Sequence, residues 1–191
     1  MSTAGIILAA GESRRMGFPK PLLRYRDETF LDRLSGLFLA RCSPVIVVLG
    51  AHAGRIREGT AERAVVVLNR DYERGMITSL QCGLRAVPPE ADGVLFTLVD
   101  HPAVSPATID ALLDAPAKLL RVPRHDGRRG HPIWFSCELI PEFLAISETG
   151  AARDVVRAHA ADTEFLDLDD PGILADIDDP AAYLQLTGAA I

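Results

Sequence analysis

Between Gly5 and Val99 the chain alternates unbroken apolar runs with helical patterns, and this restricts its fold more than any other feature. Gly5 to Ala9 is a continuous apolar stretch, the mark of a strand covered on both faces. Val45 to Leu49, Val65 to Leu68 and Val94 to Val99 read the same way. Between them, Thr29 to Ala40 sets Phe30, Leu31, Leu34, Leu37 and Phe38 at helical spacing, with Thr29 and Asp32 as a capping pair. Ala51 to Glu58 and Thr78 to Ala86 are further helices, and Ser105-Pro106 opens another that runs to about Leu113. Leu119 to Val122 and Ile133 to Phe135 are short strands separated by a Gly- and Arg-rich loop. Glu138 to Ala145 and Ala151 to Ala160 read as helices, Phe165 to Leu168 as a late strand, and Ala181 to Leu186 as a closing helix. Strands alternating with helices predict an α/β fold with a mostly parallel central sheet and a small antiparallel extension. In such sheets ligands bind beyond the carboxyl ends of the strands, so the residues just after strands one, three and four are the candidates for function.

Composition excludes several classes. At 191 residues the chain suits one domain spanning 1–191. With 48% apolar and 24% charged residues it can build a core, and disorder, collagen and coiled coil are excluded. No run of 18 apolar residues exists for a membrane span, and the N-terminal apolar run lacks a basic flank, so no signal peptide is expected. The net charge of −6 disfavours nucleic acid and anionic lipid as partners. Cys42, Cys82 and Cys137 lack metal or redox spacing and read as free thiols of a cytoplasmic protein. Charge is uneven: Arg14, Arg15, Lys20, Arg24 and Arg26 cluster early, while 162–179 is acidic with no basic residue. The two segments could meet across one site or stand apart as solvated surface.

The loop after strand one runs Leu8-Ala9-Ala10-Gly11-Glu12-Ser13-Arg14-Arg15-Met16-Gly17-Phe18-Pro19-Lys20-Pro21-Leu22-Leu23. Glycines let backbone turn sharply and approach a ligand closely, and Arg14, Arg15 and Lys20 supply positive charge to a phosphate chain. Neither the Walker A spacing nor G-x-G-x-x-G is met. The pattern L-A-A-G-x-S-x-R-M-G-x-x-K-x-L-L, complete from Leu8 to Leu23, resembles the nucleotide signature of the MobA-like nucleotidyltransferases, and within them the molybdenum cofactor cytidylyltransferases.

That resemblance implies a three-layer, Rossmann-like nucleotidyltransferase fold and a set of roles. Leu8, Ala9, Ala10 and Gly11 would contact base and ribose; Arg14 and Lys20 would hold the triphosphate and, with Asp100, carry catalysis. Ala10, where GTP-using relatives tend to have Gly, points to CTP. Gly75 to Leu84 matches a second family segment, G-M-x-x-S-L-x-x-G-L, in which Ser79 would read the base with help from Asn69 after strand three. Asp100-His101-Pro102 falls on the family's D-x-P, where Asp100 would hold Mg²⁺, or Mn²⁺ in its place; His101 stands where relatives commonly carry Gln. Ala175 to Pro180 resembles the D-I-D-x-P element, so Asp178 would be the second metal carboxylate, with Asp167, Asp169 and Asp170 left as solvated surface. Gly130-His131-Pro132 matches a G-H-P element on the acceptor side, where His131 with Arg128 or Arg129 would grip an acceptor phosphate. The family's G-D-x-G-A-R segment is only loosely present, in Glu148 to Arg153.

The expected activity is transfer of CMP from CTP to the phosphate of a molybdopterin-type cofactor, with release of pyrophosphate and a molybdenum hydroxylase or dehydrogenase as recipient of the product. Three alternatives stay open: a sugar or polyol phosphate as acceptor, GTP as donor, and a non-catalytic chaperone for a molybdenum enzyme. Intact Lys20, Asp100 and Asp178 argue against the last.

Overall fold

The computed structural model describes residues 2–57, 63–116 and 118–191, so the expected helix end at Glu58 lies outside the described residues. Along the chain the elements are β1 (Thr3–Ala9), β2 (Arg24–Tyr25), β3 (Glu28–Thr29), α1 (Phe30–Leu39), β4 (Val45–Leu49), α2 (Ala53–Arg57), β5 (Val65–Leu68), α3 (Met76–Leu84) and β6 (Gly93–Leu98). Then follow α4 (Pro106–Asp114), β7 (Leu120–His125), β8 (Arg128–Arg129), β9 (Ile133–Ser136), α5 (Ile140–Ala145), α6 (Ala152–Ala158), β10 (Thr163–Asp167) and α7 (Pro180–Thr187).

One sheet carries the order β10-β7-β9-β6-β1-β4-β5, with β8 paired to β7. β1 is parallel to both β4 and β6 and buried at all seven positions. Its side chains divide between two layers. Ile7 and Ala9 face the core shared with α1 and α4, while Ile6, Leu8 and Ala10 face the core shared with α3, α5 and α6. A strand covered on both faces has no polar side to show, which is why its sequence does not alternate. The antiparallel piece is β9, which pairs with β6 on one side and β7 on the other, together with the short β8; beyond it the sheet is parallel again through β10.

Local signals account for the helix starts. The Thr29 hydroxyl accepts from the Asp32 backbone N–H at 3.0 Å, and the Ser105 hydroxyl accepts from Thr108 N–H at 3.2 Å. The β2–β3 hairpin was not foreseen. It turns through Arg26 at φ 59°, a left-handed position held without glycine.

Asp170 is a correction to the sequence reading. It is buried, not solvated, and accepts hydrogen bonds from Ser105 N–H (2.9 Å), the Thr108 hydroxyl (2.6 Å) and Gly172 N–H (2.9 Å). Asp167 and Asp169 are exposed as expected. From Asp170 the chain returns across the sheet's carboxyl end: His131 N–H donates to Ile173 O at 3.0 Å, and Ile177 N–H to Asp100 O at 2.9 Å. This return is what brings the acidic C-terminal segment to the end of β6.

Candidate active site

The loop that leaves β1 folds on itself. Ser13 takes a left-handed φ of 56°; its carbonyl accepts from Met16 and Gly17 N–H, and its hydroxyl accepts from Lys20 N–H at 2.9 Å. Gly17, at φ 70°, makes the second left-handed turn. The Ala10 carbonyl is taken by Ala51 N–H at 3.0 Å, and a Cβ on Gly50 would stand 2.7 Å from that carbonyl, so only glycine lets β4 leave so close to β1. The result is an open cleft of about 320 Å³ over the ends of β1 and β6, walled by Leu8 to Gly11, Lys20, Ser79 and Asp100 among others. That size suits a small-molecule ligand. A Cβ on Gly11 would meet nothing within 4 Å, so no protein contact demands glycine there.

Lys20 is the centre of the site. The residue is 9% exposed, and its ammonium donates to Asp100 Oδ2 at 3.0 Å and to Asp178 Oδ1 at 2.5 Å. Burial works against its charge, but the two carboxylates outweigh burial and hold its pKa above the usual lysine value. The same hydrogen bond holds Asp178 below the usual carboxylate range, helped by Arg15, whose Nη2 lies 2.6 Å from Asp178 Oδ2. Asp100 and Asp178, about 78 positions apart in sequence, therefore meet on one ammonium. The early basic cluster and the late acidic segment do meet, through Lys20, Arg15 and Asp178.

Arg14 lines the cleft but pairs with Glu12 and stays exposed. Arg15 is the arginine that reaches the acidic pair. Its signal was in the sequence, because the fixed arginine of S-x-R-M-G falls on Arg15.

At the other end Ser79 is buried on α3 and lines the cleft. Asn69 lies behind it. Asn69 Nδ2 donates to both the Ser79 and Thr78 hydroxyls at 2.9 Å, and its Oδ1 accepts from Asp71 N–H at 3.0 Å. Asn69 thus positions Ser79 and does not itself line the cleft. Tyr72 and Met76 are lining residues that the sequence reading missed.

On the far side of Met76 a second, largely apolar cavity is lined by Phe96, His131, Ile133 and Phe135, with Arg129, Arg153 and Arg157 also on its wall. Arg128, exposed on β8, is not among its lining residues. His131 packs at 4.8 Å, ring to ring, on His101. Burial, with His101 adding to it, drives the His131 pKa down to about 3, so it is neutral and offers an acceptor no positive charge. Arg153 and Arg157, on α6, bring cations to this wall; Arg153 is the arginine that survives in the loose match at Glu148 to Arg153, and Arg157 lies beyond it.

The donor chemistry around Asp100 suits a divalent cation. Asp100 Oδ1 is buried with no hydrogen-bond partner among the described residues. Asp100, His101 and Asp176 each bring a ligand atom to within 4.8 Å of the others. Burial, then Asp100 and Asp178, raise the Asp176 pKa, the response of a carboxylate crowded by others.

The profile of the MobA-like NTP transferase domain matches residues 5–163, and the chain belongs to that family. It is 26% identical over 181 residues to the molybdenum cofactor cytidylyltransferase of Escherichia coli, covering 94% of this chain and 92% of that one. It is 34% identical to a probable molybdenum cofactor guanylyltransferase of Mycolicibacterium paratuberculosis, over 59% of this chain and 57% of the other. Among solved structures, Rv0371c of Mycobacterium tuberculosis superimposes with a TM-score of 0.89 at 34% identity, covering 98% of both chains. A complex of Rv0371c with manganese has also been solved, with a TM-score of 0.83 at 30% identity and full coverage of both chains. No helix among the described residues is long and apolar enough to cross a membrane.

Proposed function

We propose that this chain, acting as one domain, transfers CMP from CTP to the phosphate of a molybdopterin-type acceptor and releases pyrophosphate. The observation that carries the reading is the buried Lys20 ammonium, shared by Asp100 and Asp178 at the mouth of a cleft where Gly11 leaves room for a ligand. Triphosphate entering over the Ser13–Gly17 turn offers Lys20 new acceptors, and Lys20 exchanges its carboxylates for phosphate oxygens. Arg14, freed from Glu12, and Arg15 add charge along the same edge. An oxygen of the acceptor phosphate attacks the α-phosphorus in line; the bond to the bridging oxygen breaks and its electron pair leaves with pyrophosphate. Lys20 and Arg14 stabilise that leaving charge.

Asp100 and Asp178, once released by Lys20, would hold Mg²⁺ or Mn²⁺, which supplies neutralisation of phosphate charge. Ser79, whose oxygen accepts from Asn69, keeps its hydroxyl proton for an acceptor atom on the base. The apolar cavity with its arginines suits a flat heterocycle bearing a phosphate, on the side where His131 and Arg129 lie. The resemblance to the molybdenum cofactor cytidylyltransferases implies a molybdenum hydroxylase or dehydrogenase as recipient of the product. Three free cysteines suit a cytoplasmic site of action.

CTP is favoured over GTP by Ala10, whose buried methyl lines the cleft. One methyl is worth about 1–3 kcal/mol, or roughly 10- to 200-fold. Pyrophosphate release measured with the four ribonucleotides and molybdopterin or sugar phosphates tests the whole reading. A preference for CTP with the pterin acceptor is expected, narrowed but not closed in Ala10→Gly. Release with GTP alone refutes the base assignment, and no release with any pair refutes the enzyme.

A further inference from the structure

Asp100 presents two oxygens to two different neighbourhoods. Oδ2 accepts from Lys20, on the side of Asp178. Oδ1 is buried and has no hydrogen-bond partner among the described residues. An unpaired carboxylate oxygen out of water is costly. Facing it is His101, 6% exposed, with Nε2 at 3.8 Å from Oδ1, beyond hydrogen-bond reach, and with Nδ1 also unpartnered. Asp176 completes a group whose ligand atoms lie within 4.8 Å of one another. Two ligands sharing one transition-metal ion at about 2.1 Å stand roughly 3.0–3.8 Å apart, so the His101–Asp100 spacing already fits. Local charge agrees: two cations, Lys20 and Arg15, face three carboxylates, Asp100, Asp176 and Asp178.

We infer that Asp100 Oδ1, His101 and Asp176 form a cation site separate from the Asp100–Asp178 position, and that its nitrogen donor selects a first-row transition dication such as Mn²⁺ or Co²⁺ over Mg²⁺. The inference deepens the proposed function, since it places this ion against the same aspartate. Mg²⁺ demands near-octahedral oxygen ligation and sheds water reluctantly, whereas imidazole suits the softer ions. Because Lys20 sits on Oδ2, the site fills without displacing the lysine and therefore without nucleotide.

Calorimetric titration of the nucleotide-free protein with MnCl₂, CoCl₂ and MgCl₂ tests this. One tightly bound Mn²⁺ or Co²⁺ per chain is expected, with Mg²⁺ much weaker. His101→Gln and Asp176→Asn should each weaken Mn²⁺ binding about tenfold or more, and Asp178→Asn should leave it nearly unchanged. Cobalt-loaded protein should lose intensity in its visible bands in His101→Gln. Mn²⁺ binding that survives both substitutions, or that is lost only in Asp178→Asn, overturns the site. Should buried His101→Gln fail to fold, the exposed Asp176→Asn decides alone. No pyrophosphate is measured, so failure here leaves the transferase reading standing, and a failed transferase assay leaves this result standing.

Discussion

Lys20 shows how one residue's environment sets its role. It is one of two lysines in the chain, beside 18 arginines, and it is the one buried between two carboxylates. An ammonium is a compact charge that can follow a moving phosphate, while a guanidinium is a fixed fork. Lys20→Ala should therefore lower kcat about 10²–10³-fold with a smaller rise in the KM for CTP, as loss of a contact made mainly in the transition state requires. Lys20→Arg should recover little. Steady-state kinetics on the two variants checks this, and an unchanged kcat in Lys20→Ala would reduce the lysine to a binding contact.

Among the elements, the return from Asp170 to Asp178 matters most, because it carries Asp176 and Asp178 to the end of β6. Asp170 ties its start to the first turn of α4. Burial pushes the Asp170 carboxyl up, but donors from Thr108, Ser105 and Gly172 outweigh it and hold the pKa below the ordinary value. A depressed carboxylate pKa gives stability that is complete above the unfolded value, near pH 4, and is lost as pH falls through the folded value. Asp170→Asn should cost about 2–3 kcal/mol at neutral pH, as expected for losing charged hydrogen bonds. It should also flatten the acid limb below about pH 4. Urea unfolding from pH 2 to 7 reads both. An acid limb unchanged in the variant would assign that limb to other carboxylates.

Across the whole molecule, the cleft joins segments from both ends of the chain, so a ligand filling it stabilises the sheet and the C-terminal return together. Ligand at a hundredfold excess over its Kd adds about 2.7 kcal/mol. For a chain of this size that is a rise in Tm of roughly 5–10 °C. With Mn²⁺ present throughout, thermal unfolding should show such a rise on adding CTP in the native protein and most of it in Lys20→Ala, because that lysine acts mainly on the transition state. No rise on adding CTP to the native protein would place the nucleotide elsewhere.

The sequence by itself determined the strands and helices around β1, because burial on both faces leaves an unbroken apolar run and capping residues act within one turn. It also carried the loop from Leu8 to Leu23, whose glycines and cations are contiguous. Only the tertiary structure decided three things. Asp100, Asp176 and Asp178 converge because the backbone from Asp170 to Ile177 crosses the sheet, and no local pattern encodes a contact across about 78 residues. Asp170 reads as one more acidic surface residue until its donors, two of them on a distant turn, are seen. His131 carries the same letters in its motif whether charged or neutral, and burial against His101 decides for neutral. Charge, burial and partner are properties of position in space, and position in space is what the folded chain supplies.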